Sequence, residues 1–156
     1  MIVVPDAGPL IYLAGSGHIE LLRALYAQVV VPRVVFEEVT VEGEGLVGAV
    51  EVRAATWIAI DEGQPDPALL SVLDRGEAAA IPLAERLGAT LLTDDSAARE
   101  VARSRSLRVV GTLGVLLAAK RNGLLSEVAS VIEQMEALGM FVSERLRAEV
   151  RRLAGE

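Results

Sequence analysis

Four short apolar runs punctuate the chain: IVVP at 2–5, QVVVP at 28–32, ATLLT at 89–93 and LRVV at 107–110. Each is followed by a stretch whose apolar residues recur at helical spacing. Strands this short and this continuously apolar leave no face for solvent. They fit a parallel sheet covered by helices on both sides rather than a set of hairpins. Right-handed crossovers then bring every strand's carboxyl end to one edge, where such sheets bind ligands. The expected fold class is a single-domain, three-layer α/β/α sandwich with a parallel sheet of about five strands, ATWIAI at 55–60 supplying the fifth.

Between these runs, RVVFEEVTV at 33–41 reads as one helix. Glycines 43, 45 and 48 and prolines 65 and 67 make the 42–67 segment read as a loop around its one strand. DRGEAAAIPLAERLG at 74–88 is a helix closed by Gly88. Pro82 lies inside it and leaves the Ala78 carbonyl without its helical partner. Further helices follow at 96–106, at 112–123 behind a Thr112 cap, and at 126–139 and 143–155 behind serine N-caps. The whole chain, 1–156, is expected to form one domain. The helices of 126–156 are expected to pack on it or on a second copy, through the Leu146, Val150 and Leu153 stripe.

Composition narrows the chemistry. With 52% apolar but only 3% aromatic residues, Val, Leu, Ile and Ala must build the core. There is no cysteine, which excludes disulfides, zinc thiolates, iron–sulfur clusters and a thiol nucleophile. The N-terminus lacks the basic start of a signal peptide, and no apolar run is long enough to span a bilayer. A cytoplasmic location with no membrane partner is therefore expected. The formal charge of −7 is unevenly placed: residues 96–126 hold five arginines and a lysine against Glu100, a net +5, leaving −12 elsewhere. That basic stretch is either a solvated face or a hold on a phosphate backbone.

The acids carry the functional reading. Asp6 directly follows the first strand, and Asp94 and Asp95 directly follow ATLLT, so all three belong to the carboxyl edge. On the helix after Pro32, Val34, Val35, Val39 and Val41 form one stripe with Glu38 in its middle. A carboxylate on a buried face is costly unless it is paired or bound to metal. Glu77 stacks with Ile81 and Ala84 and points inward, although Asp74 to Glu77 is also a capping box. Innocent alternatives stand beside the others too: Asp6 in an Asx-turn, and Asp94 or Asp95 as a helix cap. Together, these acids expect a pocket of hard oxygen donors. Such donors, with His18 the only histidine, suit Mg²⁺ or Mn²⁺ rather than zinc.

The blocks VVPDAGPLI, VPRVVFEEV, RGEAAAI, LLTDD with Ala98-Arg99, and VVGTLGVLLAAKRNGLL occur in this order. The chain thereby resembles the PIN domain family, and more narrowly its branch close to VapC-type toxins of toxin–antitoxin pairs. The resemblance runs from about Ile2 to Leu125, with little in 40–67. It implies that Asp6, Glu38, Glu77 and Asp95 form the catalytic acids, with Asp6, Glu77, Asp94 and Asp95 as metal ligands. Arg99 and Thr112 match substrate-binding positions. Two residues depart from the family pattern: Gly8, where many members carry Ser or Asn, and Pro82.

The resemblance implies a Mg²⁺- or Mn²⁺-dependent endoribonuclease, a hydrolase of RNA phosphodiesters leaving a 5′-phosphate and a 3′-hydroxyl. The partners implied are RNA, an antitoxin protein and a second copy in a homodimer. The alternative is a catalytically idle PIN fold that binds proteins. A phosphoacceptor receiver domain is disfavoured because the only lysine, Lys120, lies mid-helix, and a DxD phosphatase because Gly8 stands where its second aspartate belongs.

Overall fold

The computed structural model describes all residues from Met1 to Glu156. Five strands, β1 (Ile2–Pro5), β2 (Gln28–Pro32), β3 (Ala59–Asp61), β4 (Thr90–Leu92) and β5 (Val109–Val110), form one sheet in the order β3-β2-β1-β4-β5. Every pairing is parallel, with Val3 beside Val29 and Thr90, and Leu91 beside Val109. The expected α/β sandwich is the fold that forms.

Alternate residues of each strand face opposite layers, as the pleat demands. Val3, Val29, Val31 and Leu92 enter a core of 27 buried residues. That side is covered by α1 (Ala7–Gly15), α2 (Glu20–Leu25), α7 (Thr112–Arg121), α8 (Ala129–Ala137) and α9 (Glu144–Ala154). Val4, Val30 and Leu91 enter a smaller core of 13 residues beneath α5 (Arg75–Leu87) and α6 (Ser96–Ser104). From the last two helices, Val131, Ile132, Met135 and Val150 are buried in the larger core. No helix is long and apolar enough to cross a membrane.

Several local features differ from expectation. The helix after Pro32 remains α-helical only as α3 (Arg33–Glu37), and Glu38–Glu42 continue as a π-helical turn. The wider turn breaks the 3.6-residue period, so Val35 and Val39 are buried while Val41 is 62% exposed. A six-residue helix, α4 (Ala49–Ala54), lies in the segment read as loop. Ala49 and Val52 bury one side of α4, and too few residues are present to show a period. Gly48 opens it at φ +88, with Ile11 so close that a Cβ would lie 3.0 Å from its carbonyl oxygen.

Pro82 does not leave an orphan. The Ala78 carbonyl that it frees accepts the Asp66 N–H at 3.0 Å and ties the 62–67 loop to α5. The start of α8 is capped from a distance: Glu156 accepts the Val128 N–H at 2.7 Å and the Ala129 N–H at 2.9 Å, so Ser126 is not the cap. Thr112 is the first residue of α7 rather than its cap; that N-terminus is held by Asp94. Ser143 does cap α9.

Candidate functional site

The carboxyl edge of the sheet gathers the starts of several helices, and their capping residues are acids. Asp6 ends β1 and caps α1. Its Oδ1 accepts the Ala7 N–H at 2.8 Å, and the Thr93 hydroxyl donates to Oδ2 at 3.3 Å. Only 9% of Asp6 is exposed. Burial, and then the charges of Asp74 and Asp95, push its carboxyl up to about 6, against the pull of the Ala7 N–H and Thr93.

Glu77 is the third residue of α5 and forms the expected capping box: Asp74 accepts its N–H at 2.8 Å, and its Oε1 accepts the Asp74 N–H at 3.1 Å. It is nonetheless turned into the same pocket, 7% exposed. Burial, together with Asp6, Asp74 and Asp95, drives its carboxyl up to about 8 despite the bond from the Asp74 N–H. The cap and the inward orientation thus coexist in one side chain. Glu38 opens the π-helical turn and is half-buried, whereas Glu37 faces solvent. Burial raises Glu38 to about 7, with Asp6, Asp74 and Glu42 adding repulsion.

Asp95 caps α6 through the Ala98 N–H at 2.9 Å, and its own N–H donates to the Thr93 hydroxyl at 3.2 Å. The buried Thr93 therefore links Asp95 to Asp6. Asp94 turns the other way. Its carboxylate accepts both the N–H and the hydroxyl of Thr112, which is fully buried. Arg99 donates to the Thr93 carbonyl at 2.9 Å and makes no ion pair. Asp6, Glu38, Glu77 and Asp95 are thus brought together, while Asp94, Thr112 and Arg99 form a second group beside them.

Two members of the neighbourhood were not singled out as site residues from sequence. Asp74 looked like a helix cap alone, yet its charge acts on Asp6, Glu38 and Glu77. Thr93 carried no signal beyond its position before Asp94. A Cβ at Gly8 would meet nothing within 4 Å, so the glycine is not a steric requirement there. Much of the basic 96–126 stretch is engaged elsewhere: Arg105 pairs with Glu85, Lys120 with Glu156, and Arg108 donates to the Gly88 carbonyl.

The acids are hard oxygen donors crowded enough to hold three of their number above the usual carboxylate range. A divalent cation would relieve that repulsion. As arranged, no three of them surround a common ion-sized point, because Glu77 and Asp95 each commit one oxygen to a helix N-terminus. Glu77 Oε2 and Asp95 Oδ1 receive no hydrogen bond.

Comparison with known proteins adds the family. The DUF3368 family model, described as a PIN domain, matches residues 2–156. No curated protein matches. Among solved structures, the chain is similar to a PilT N-terminus domain protein from the hyperthermophilic archaeon Sulfolobus solfataricus P2. The two are 14% identical with a TM-score of 0.50, over 92% of this chain and 98% of that one, a likeness of fold. The chain belongs to the PIN domain family, whose fold is of the nuclease type.

Proposed function

We propose that this protein is a divalent-metal-dependent endoribonuclease, the toxin of a toxin–antitoxin pair in the VapC-like branch. The observation that carries the proposal is the crowding of Asp6, Glu38 and Glu77, with Asp74 and Asp95, at one sheet edge. Burial and mutual repulsion hold three of these carboxyls between about 6 and about 8. A protein gains nothing in stability from such an arrangement. It suits a site that Mg²⁺ or Mn²⁺ completes.

Asp6, Glu77 and Asp95 would hold the ion, the last two through the oxygens that their caps leave over. When bound, the ion neutralises charge on a phosphodiester and makes water a nucleophile at neutral pH. Glu38, raised to about 7, is matched to accept a proton from that water near neutrality. Arg99 keeps its Nε and Nη2 for a phosphate oxygen. Thr112, with its hydroxyl on Asp94, acts on the substrate through Asp94 rather than by direct contact.

The test is incubation of purified protein with structured RNAs in Mn²⁺ and in chelator, beside Asp6→Asn. Cleavage that needs Mn²⁺, leaves 5′-phosphates and falls at least ~100-fold in the variant supports the proposal. No cleavage, or equal cleavage by the variant, refutes it. A neighbouring reading frame for a small DNA-binding protein would support the toxin role.

A second reading is favoured by one observation: no three acids share an ion-sized point as they stand. On that reading the chain is an idle PIN fold that binds proteins. Calorimetric titration with Mn²⁺ separates the two, since an idle scaffold shows no saturable heat.

A further inference from the structure

A groove of about 550 Å³ runs along the outer edge of the sheet, on the far side of Asp94 from the acids. One wall is β5 with α7, through Val109, Val110 and Leu117; the other is α9, through Leu146 and Leu153, with Phe141 at its mouth. Phe141 is 88% exposed, and Leu146 and Leu153 remain more than two-fifths exposed. These form a contiguous apolar lining left to solvent, not scattered single residues.

β5 is an edge strand. Leu91 on β4 bonds to Arg108 and lies opposite Val109 in the parallel ladder. In such a ladder the residue directly opposite turns its own N–H and C=O outward. Val109 therefore presents an unpaired donor and acceptor toward the groove, the starting point for an added strand.

The lips of the groove set the charge of its occupant. Arg99 lines it, and Arg103 lies four residues further along the same helical face. On α9, Arg145 and Arg152 flank Glu149. Four guanidinium groups thus face two carboxylates, and both carboxylates are already held: Asp94 by Thr112 and Glu149 by Arg152. A second copy of this chain would bring the same cationic lips against themselves. RNA would meet the cations but would not cover Phe141, Leu146 and Leu153.

We propose that this groove binds an extended segment of another protein, in which apolar residues alternate with Asp or Glu. The segment pairs with the edge of β5 through Val109, its apolar side chains fill the groove, and its carboxylates meet Arg99, Arg103 and Arg145. This binding needs neither metal nor RNA, so it stands or falls apart from the nuclease reading.

The test uses a fluorescein-labelled peptide of alternating Glu and Val or Leu, and its counterpart with Lys for every Glu, titrated into the full chain in chelator. The acidic peptide is expected to bind at least ~10-fold more tightly than the lysine peptide, by a margin that shrinks with salt. Phe141→Asp and Leu153→Asp, both at exposed positions and neutral to folding, are expected to weaken it at least ~10-fold. Equal binding of the two peptides, no binding of either, or indifference to both substitutions overturns the proposal. Sedimentation as a dimer that Leu153→Asp dissociates also overturns it, since the groove would then be filled by a second copy.

Discussion

Replacing Asp6 with Asn should make the metal-free protein more stable, and increasingly so as the pH rises. Asp6 is 9% exposed and its carboxyl is raised from 3.8 to about 6. The sign follows from proton counting. Between these values the unfolded chain has lost its proton while the folded chain retains it, so stability falls as pH rises through the window and stays lower above it. A shift of roughly two units corresponds to about 3 kcal/mol. Asn keeps the geometry: its Oδ1 can accept the Ala7 N–H, and its amide can donate to the Thr93 hydroxyl. Any cost of the swap itself is common to all pH values and cancels in the comparison. The variant should therefore gain about 3 kcal/mol over the wild type on going from pH 4 to pH 8, or about 6–12 °C in Tm for a chain of this length. Relief of Glu38 and Glu77, both of which feel Asp6, adds to the gain. The assay is urea or thermal unfolding in chelator at several pH values. Mn²⁺ should reverse the ranking, since an ion at ~100 times its Kd stabilises the wild type by about 2.7 kcal/mol. A difference between the two proteins that stays flat from pH 4 to pH 8 would refute the view that the Asp6 carboxylate is buried among like charges.

Two further predictions concern the supports of the site and fold. Pro82→Ala supplies an N–H that competes with Asp66 for the Ala78 carbonyl; helix propensity gained and loop tether lost oppose each other in Tm, so hydrogen exchange at Asp66 is the measurement, and it should speed up. Glu156→Gln should lower Tm by a few degrees at neutral pH and speed exchange at the start of α8. The Lys120 ammonium first, and then the Val128 and Ala129 N–H groups, hold Glu156 at about 2, so its contribution is full above about 4.5 and fades as pH falls toward 2.

Much of the architecture was legible in the chain itself. Continuous apolar runs of three to five residues between helical stretches admit little but a covered parallel sheet, and the order of strand and helix fixes which strand ends share an edge. Asp6, Asp94 and Asp95 could be assigned to that edge because each follows a strand directly. Glu38 could be singled out because a carboxylate in an apolar stripe demands a reason. The limits appear where local pattern and tertiary contact diverge. Val41 fitted the stripe at 3.6 residues per turn, but the π-helical turn put it in solvent. Helix α4 was invisible because six residues among glycines show no period, and it exists by packing Ala49 and Val52 against the larger core.

Adjacent identical residues make the distinction plainest. Nothing in sequence separates Asp94 from Asp95, yet the first holds the start of α7, 18 residues on, and the second faces Asp6. That choice depends on where α7 docks. The same holds for the cap of α8, supplied by Glu156 from 27 and 28 residues away, and for the Ala78 carbonyl satisfied by Asp66. Sequence determined which groups would need partners: a helix N-terminus, a carbonyl freed by proline, a buried carboxylate. Only the tertiary structure decided which partners they found, because hydrogen bonds and charges act over a few ångströms in space, with no regard to separation along the chain.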